Sequence, residues 1–315
     1  MIYLGILLVC ITLYFLVKGY EARMVLVASG IIMCLVCTFS PMGALNAFAK
    51  GMSSGMIPSA CSAMGFALTM RFTGCDKHLI NFLAKGIMKI QWALVPAVVF
   101  ATFAVNVALP SAAGTAAAAG AIFIPILMGS GVHPAMAAAA VKCGTYGSML
   151  NPGLAHNPFV AKIAGIGVMD VIAYHYMANI VSLLVGAVAL TALAYYLKEH
   201  KGHVAEGLEL ESDLKINYLY AMMPVVPIAI LLLGATKIVP AFKMGVAQAM
   251  VIGTILGCIV TRTNPGEMAK SFYDGMGKAY ADIIGIIIAA GVFVAGMNAL
   301  GLVKAFINAM VSNPA

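Results

Sequence analysis

The chain has 315 residues, of which 63% are hydrophobic and only 9% charged, and its formal net charge is +7. Soluble domains carry roughly 25% charged residues, so the composition excludes a soluble enzyme, a nucleic-acid-binding domain and a disordered regulator. It indicates an all-α polytopic membrane protein that is embedded in a lipid bilayer.

A membrane-spanning helix needs about 20 apolar residues, and the chain offers several such segments. The first lacks a basic leader and a small-residue cleavage site, which favours a retained helix over a signal peptide. The candidate segments are 2–18, 24–39, 54–71, 91–130, 135–165, 170–197, 216–235, 244–261 and 280–299.

Segment 91–130 is too long for one plain crossing, and the stretch "NVALPSAAGT" (106–115) at its centre is small and polar. We expect a re-entrant hairpin that turns within the membrane, because bare backbone at that depth is tolerated only where protein buries it or water reaches it. Two full helices joined by a tight external turn are the alternative.

Segment 135–165 contains "GTYGSMLNPGLAHNP" (144–158), which places two prolines among glycines, asparagines and a histidine. Proline removes a backbone donor and frees carbonyls of the preceding turn. The pattern predicts one crossing made of two half-helices that are broken at about 150–157. A proline-kinked helix whose polar groups satisfy one another is the alternative.

The distribution of charge fits an N-terminus outside the membrane, and it does not distinguish a hairpin from two crossings at 91–130. With the N-terminus outside, thirteen Lys and Arg residues fall inside and five outside, as the positive-inside rule requires. The polar stretch "KEHKGHVAEGLELESDLK" (198–215) is then a cytoplasmic linker.

The pattern restarts after this linker. Phe48, Gly51, Met52 and Phe82 match Phe272, Gly275, Met276 and Phe306 at a constant offset of 224. Five crossings between the copies would invert the second, as in many secondary transporters. We therefore expect a first repeat over 1–197 and an incomplete second repeat over 216–315, which stops at "VSNPA" where its own hairpin would begin.

The two interruptions supply the candidate substrate-binding residues. At the hairpin turn, small residues expose backbone N–H groups, and a helix N-terminus favours an anion without a formal positive charge. At the break, Asn and Ser oxygens with freed carbonyls suit Na⁺, and His156 suits a proton. The candidates are Ser111, Gly114, Thr115, Ser148, Asn151, Gly153, His156 and Asn157.

The remaining polar residues of the apolar segments have simpler interpretations. Asp170 is expected to cap the helix that starts there, Asp282 to lie early in its helix at the interface, and His175 to belong to an interfacial aromatic belt with its tyrosine neighbours. No nucleotide-binding loop or hydrolase motif is present. We therefore expect no enzymatic activity, no organic cofactor and no bound metal other than Na⁺ as a coupling ion.

Three stretches, "FTGCDKHLINFLAKGI" (72–87), "PSAAGTAAAAGAIFIPILMGSGVHPA" (110–135) and "KCGTYGSMLNPGLAHNPFVAKIAG" (142–165), resemble the anaerobic C4-dicarboxylate carriers of the DcuC type. These belong to an ion-transporter superfamily of inverted-repeat carriers, whose members run longer. The resemblance implies a chain that is truncated at its C-terminus.

By this resemblance, the protein would be a bacterial inner-membrane carrier of succinate, fumarate or malate, coupled to H⁺ or Na⁺, which works by alternating access and forms a homodimer. The resemblance also points to Ser111, Gly114, Thr115, Asn151, Gly153 and Asn157. A carrier of another organic anion, a cation/proton antiporter and a non-transporting remnant are the alternatives. Fold alone does not choose among them.

Overall fold

The computed structural model describes residues 2–88, 93–203, 216–236 and 243–312, and every regular element in these ranges is helical. The first nine α-helices are α1 (Ile2–Val17), α2 (Ala22–Thr38), α3 (Met42–Met52), α4 (Ile57–Phe72), α5 (Cys75–Ile87), α6 (Leu94–Ala108), α7 (Ala112–Gly129), α8 (Pro134–Gly144) and α9 (His156–Ala164). The others are α10 (Val168–Tyr196), α11 (Tyr218–Met222), α12 (Val226–Ala235), α13 (Val246–Thr261), α14 (Pro265–Ala279), α15 (Gly285–Ala299) and α16 (Leu302–Ser312).

The fold is that of an all-α polytopic membrane protein, as predicted. Within the described residues, four helical stretches are long and apolar enough to cross a membrane. They are Ala112–Gly129, Val168–Tyr196, Tyr218–Ala235 and Pro265–Ala299. Four shorter apolar helices, α1, α2, α6 and α13, lie within or close to other predicted segments.

The stretch Pro265–Ala299 differs from the prediction. We expected a helix over 280–299 with Asp282 near its start, but α14 continues through a π-helical turn at Tyr280–Ile284 into α15. Asp282 therefore lies near the middle of a 35-residue helix. The error arose because the first half of that helix is amphipathic rather than apolar, so hydropathy alone did not extend it.

The chain divides into two compact units, one formed by residues 1–57 and 279–315 and the other by residues 58–278. The predicted repeats cut across this division, and the inverted-repeat organisation remains a prediction. Most of the predicted linker and residues 313–315 lie outside the described residues.

The unit of residues 1–57 and 279–315 contains a close helix crossing between α2 and α15. A Cβ atom on Gly30 would lie 2.5 Å from the carbonyl oxygen of Val292, and one on Gly296 would lie 2.7 Å from the carbonyl oxygen of Gly30. In the same unit, Arg23 donates a hydrogen bond of 2.7 Å from Nη1 to the carbonyl of Ala281 at the π-helical turn.

The unit of residues 58–278 holds the largest buried core, and α4 lies inside it. Phe66 and Met70 of α4 are fully buried. A Cβ atom on Gly275 of α14 would lie 2.7 Å from Cα of Gly65. Helices α4 and α14 therefore touch backbone to backbone, as small residues permit in membrane proteins.

Replacement of Gly275 by alanine should destabilise this unit, because the added methyl group must push α14 away from α4. Overpacking of this kind costs about 1–3 kcal/mol. Gly277→Ala is the matched control, since a Cβ atom there would meet nothing within 4 Å and alanine favours the helix. Thermal unfolding in detergent should give a lower midpoint for Gly275→Ala only; equal midpoints for the two variants would contradict this crossing.

Candidate substrate site

Helices α6 and α7 form the predicted helix pair, joined by Leu109, Pro110 and Ser111. Ser111 is the N-cap of α7, and its Oγ atom accepts a hydrogen bond of 3.1 Å from the N–H of Gly114. Helix α7 alone has the length and composition of a membrane span. Whether the pair re-enters or crosses the membrane therefore stays a prediction.

The predicted broken helix has an interruption between Gly144 and His156. Helix α8 ends at Gly144, a 3₁₀ turn covers Gly147–Leu150, and α9 begins at His156. The interruption thus starts at Thr145 rather than at about 150. Gly147 explains the earlier start. A Cβ atom on Gly147 would lie 2.2 Å from the carbonyl oxygen of Phe103 in α6, so the backbone of the break is in direct contact with the backbone of that helix.

Asn106 joins the two interruptions. Its side chain is fully buried in α6, and its Oδ1 atom accepts a hydrogen bond of 2.6 Å from the N–H of Ser148. Its Nδ2 atom donates to the carbonyl of Leu109 at 3.1 Å and to Oγ1 of Thr115 at 3.2 Å. One side chain therefore satisfies backbone groups of both the hairpin turn and the break.

Asn151 acts within the break in the same way. It is fully buried, and its Nδ2 atom donates a 2.7 Å bond to the carbonyl of Val107. Its Oδ1 atom accepts a 2.7 Å bond from the N–H of Gly153. A Cβ atom on Gly153 would lie 2.0 Å from Cβ of Ala63 in α4, so only glycine fits between the break and that helix.

Asn157 completes the set and reaches a histidine of α10. Its Nδ2 atom donates 2.9 Å bonds to the carbonyls of Met149 and Asn151. Its Oδ1 atom lies 3.0 Å from Nε2 of His175. We interpreted His175 as an interfacial belt residue, which the structure corrects: its ring faces the break, while Tyr174 beside it is 84% exposed.

The eight predicted residues lie in these two neighbouring segments. The side chains of Asn151, Asn157 and Thr115 are buried and bonded to protein groups. Ser148 is buried and bonds through its backbone N–H. His156 retains an unpartnered buried nitrogen, Nε2. The asparagines therefore hold the backbone in place. Polar groups that satisfy one another in this way were expected only for the alternative of a proline-kinked helix.

Sequence reasoning missed a cation at the hairpin turn. A Cβ atom on Gly114 would lie 3.2 Å from Nη1 of Arg71, which stands in the last turn of α4. Among the described acids, none forms an ion pair with Arg71 within 4.0 Å. The turn thus combines a helix N-terminus with a guanidinium group, whereas we predicted that it would suit an anion without needing a formal positive charge.

A cavity of about 680 Å³ adjoins the break near the N-terminus of α4, the end opposite Arg71. Ser59 lines it, and the carbonyl oxygen of Ser59 would lie 3.4 Å from a Cβ atom on Gly153. The exposed Lys243 and the N-terminal turn of α10 also line this cavity. Asp170 of that turn accepts a bond of 3.0 Å from the N–H of Gly167, which confirms its predicted capping role.

Comparison with known proteins assigns the family. The model of the DcuC family, described as "C4-dicarboxylate anaerobic carrier", matches residues 63–315. The chain belongs to this family. The matched range includes Arg71, both interruptions and every lining residue of the cavity except Ser59, and a family of carriers confirms that the protein is not an enzyme.

Individual relatives agree with this assignment. This chain is 50% identical over 127 residues to an uncharacterised transporter of Haemophilus influenzae, and the match covers 40% of this chain and 87% of the relative. A second such H. influenzae transporter is 40% identical over 174 residues, or 51% of this chain and 62% of the relative. The anaerobic C4-dicarboxylate transporter DcuC of Escherichia coli is 23% identical over 98% of this chain and 72% of its own length.

Replacement of Asn106 by alanine should destabilise the break, because the N–H of Ser148 would lose its partner while buried. Such an orphaned group costs about 1–3 kcal/mol. Asn81→Ala is the matched control, since Asn81 bonds only to a carbonyl of its own helix at the surface. Hydrogen exchange of residues 147–155 should accelerate in Asn106→Ala alone; unchanged protection would show that Asn106 does not hold the break.

Asp76, close to Arg71 in sequence, gives a dependence of stability on pH. Asp76 is 3% exposed, and burial raises the pKa of its carboxyl group above the ordinary value of aspartate, although Lys77 and Arg71 oppose the shift. The folded state therefore binds the proton more tightly than the unfolded state. Stability should fall as pH rises from the ordinary pKa to the raised one, and remain level above that window.

Asp76→Asn should abolish this decline while keeping an acceptor for the N–H of Lys77, which Oδ1 of Asp76 now binds at 2.7 Å. The measurement is the free energy of unfolding of both proteins across the acidic range. A wild type whose stability rises over the same window would contradict the burial argument.

Proposed function

We propose that the protein is a secondary active transporter of C4-dicarboxylates such as succinate, fumarate and malate, coupled to the movement of H⁺ or Na⁺. The observation that carries the proposal is the guanidinium of Arg71, which forms no ion pair within 4.0 Å with a described acid and lies beside Gly114 at the capped N-terminus of α7. Guanidinium groups and helix N-termini both favour carboxylates. Membership of the family and the names of its relatives support the substrate class.

The proposed binding region consists of the hairpin turn and the break, with Arg71 as the charged partner of one carboxylate. Asn106, Asn151 and Asn157 keep the backbone groups of the interruption hydrogen-bonded and fixed. Little conformational entropy is therefore lost when an anion binds there. Preorganisation of this kind improves affinity. The small residues Ser111 and Gly114 leave the first turn of α7 open to the guanidinium.

Anion-attracting groups lie toward both ends of α4, with Lys243 at the cavity beside Ser59 and Arg71 near the C-terminus of the helix. A carrier that works by alternating access needs an anion entry on each side of its site, and this placement supports that mechanism. Ligand cavities typically have about 300–1,000 Å³, and the 680 Å³ cavity lies in that range. The proposed location is the bacterial inner membrane, and a homodimer is the proposed assembly.

Arg71→Gln should raise the KM for fumarate in proteoliposomes by about tenfold or more, because a hydrogen bond to a charged group contributes about 1.5–3 kcal/mol. Arg71→Lys should retain part of the affinity, since it keeps the charge but loses the planar fork. Arg262→Gln is the control, because Arg262 is an exposed arginine at the C-terminus of α13. An unchanged KM in Arg71→Gln would remove Arg71 from the site, and no uptake of any dicarboxylate by the wild type would contradict the function itself.

A further inference from the structure

The imidazole of His156, the first residue of α9, has a vacant nitrogen. Its Nε2 atom is buried without a hydrogen-bond partner among the described residues. A neutral imidazole carries its hydrogen on one nitrogen and accepts at the other, so the tautomer with the hydrogen on Nδ1 presents a bare lone pair at Nε2.

His175, the neighbouring histidine, is fully occupied. Both hydrogens of the Asn157 amide go to carbonyls, so Oδ1 of Asn157 accepts from Nε2–H of His175. The Nδ1 atom of His175 must then be the acceptor for the amide of Asn179. Both ring nitrogens of His175 are therefore engaged in hydrogen bonds. The two rings lie 6.3 Å apart, and only His156 offers a vacancy.

The surroundings of His156 contain little that would stabilise a positive charge. Helix α9 packs on α10, whose acid Asp170 is engaged with Gly167 and whose Tyr174 and Tyr176 are exposed. On α9 itself, Lys162 stands in the last turn. The neighbours of the break on α4 and α6, such as Ala63 and Phe103, are uncharged. The positive end of the α9 dipole also opposes a cation at its first residue.

A bound dicarboxylate would reverse this balance, because its negative charge offsets both the helix dipole and the imidazolium. We propose that Nε2 of His156 is the site of the coupling proton, which binds there when a dicarboxylate occupies the break and leaves when the anion leaves. The proton adds to the Nε2 lone pair and forms an N–H donor. This inference rests on the proposed function. Linkage requires that proton and anion strengthen each other's binding by the same factor.

The test uses the full chain in proteoliposomes with fumarate, whose two carboxyl groups stay ionised near neutral pH. The membrane potential is clamped at zero with valinomycin and equal potassium. A lumen that is more alkaline than the outside by about one pH unit should then drive about tenfold accumulation of fumarate in the lumen if one proton accompanies each fumarate. An internal pH dye should record lumenal acidification that depends on fumarate.

His156→Asn is the decisive variant, because asparagine keeps a polar side chain at this position but cannot take up a proton. It should abolish accumulation driven by the pH difference while fumarate exchange between equal pH values continues at a reduced rate. His203→Gln, which alters a histidine outside the break, should behave as the wild type. A purely structural role for His156 would slow accumulation and exchange by the same factor and leave the final accumulation dependent on the pH difference, and this result would overturn the inference.

Calorimetry of fumarate binding in detergent, in buffers of different ionisation enthalpy, gives a readout that does not require transport. The wild type should take up a proton on binding near neutral pH, and His156→Asn should not. Equal proton uptake by both proteins, or wild-type accumulation that responds to a Na⁺ gradient and not to pH, would overturn the inference alone. A wild type that neither binds nor exchanges any dicarboxylate would overturn the proposed function and this inference with it.

Discussion

The candidate site depends on one constraint, which is that a helix interrupted inside a protein must still satisfy its buried backbone groups. Three buried asparagines meet this requirement. Asn106 spans from the hairpin turn to the break, Asn151 ties the break back to α6, and Asn157 ties it to α10. An asparagine side chain is both donor and acceptor, so each one can serve two segments of chain at once.

This arrangement separates support from recognition. The asparagines and the glycines at 147 and 153 fix the backbone, and they leave little polar capacity of their own for a ligand. The groups that stay available are different in kind: the guanidinium of Arg71 and the Nε2 atom of His156. A rigid neutral frame with a few vacant charged or titratable groups suits a carrier, which must release its substrate as readily as it binds it.

Sequence patterns predicted much of the fold, because a membrane span depends on local apolar composition. They predicted most of the long apolar helices and the interruption between α8 and α9, and they missed the first half of Pro265–Ala299, whose hydropathy is low. The site was predictable in position but not in function. That Arg71 lies beside Gly114, or that His175 turns inward, depends on packing between helices far apart in sequence, which no local pattern records.

The order of residues in the break has a chemical consequence over the lifetime of the protein. Asparagine side chains degrade chiefly when the nitrogen of the next residue attacks the side-chain carbonyl and closes a cyclic imide. Asn151 and Asn157 are each followed by proline, whose nitrogen carries no hydrogen, so this ring cannot form at either position. The two residues that hold the break open are thereby protected from the commonest spontaneous damage that asparagine suffers.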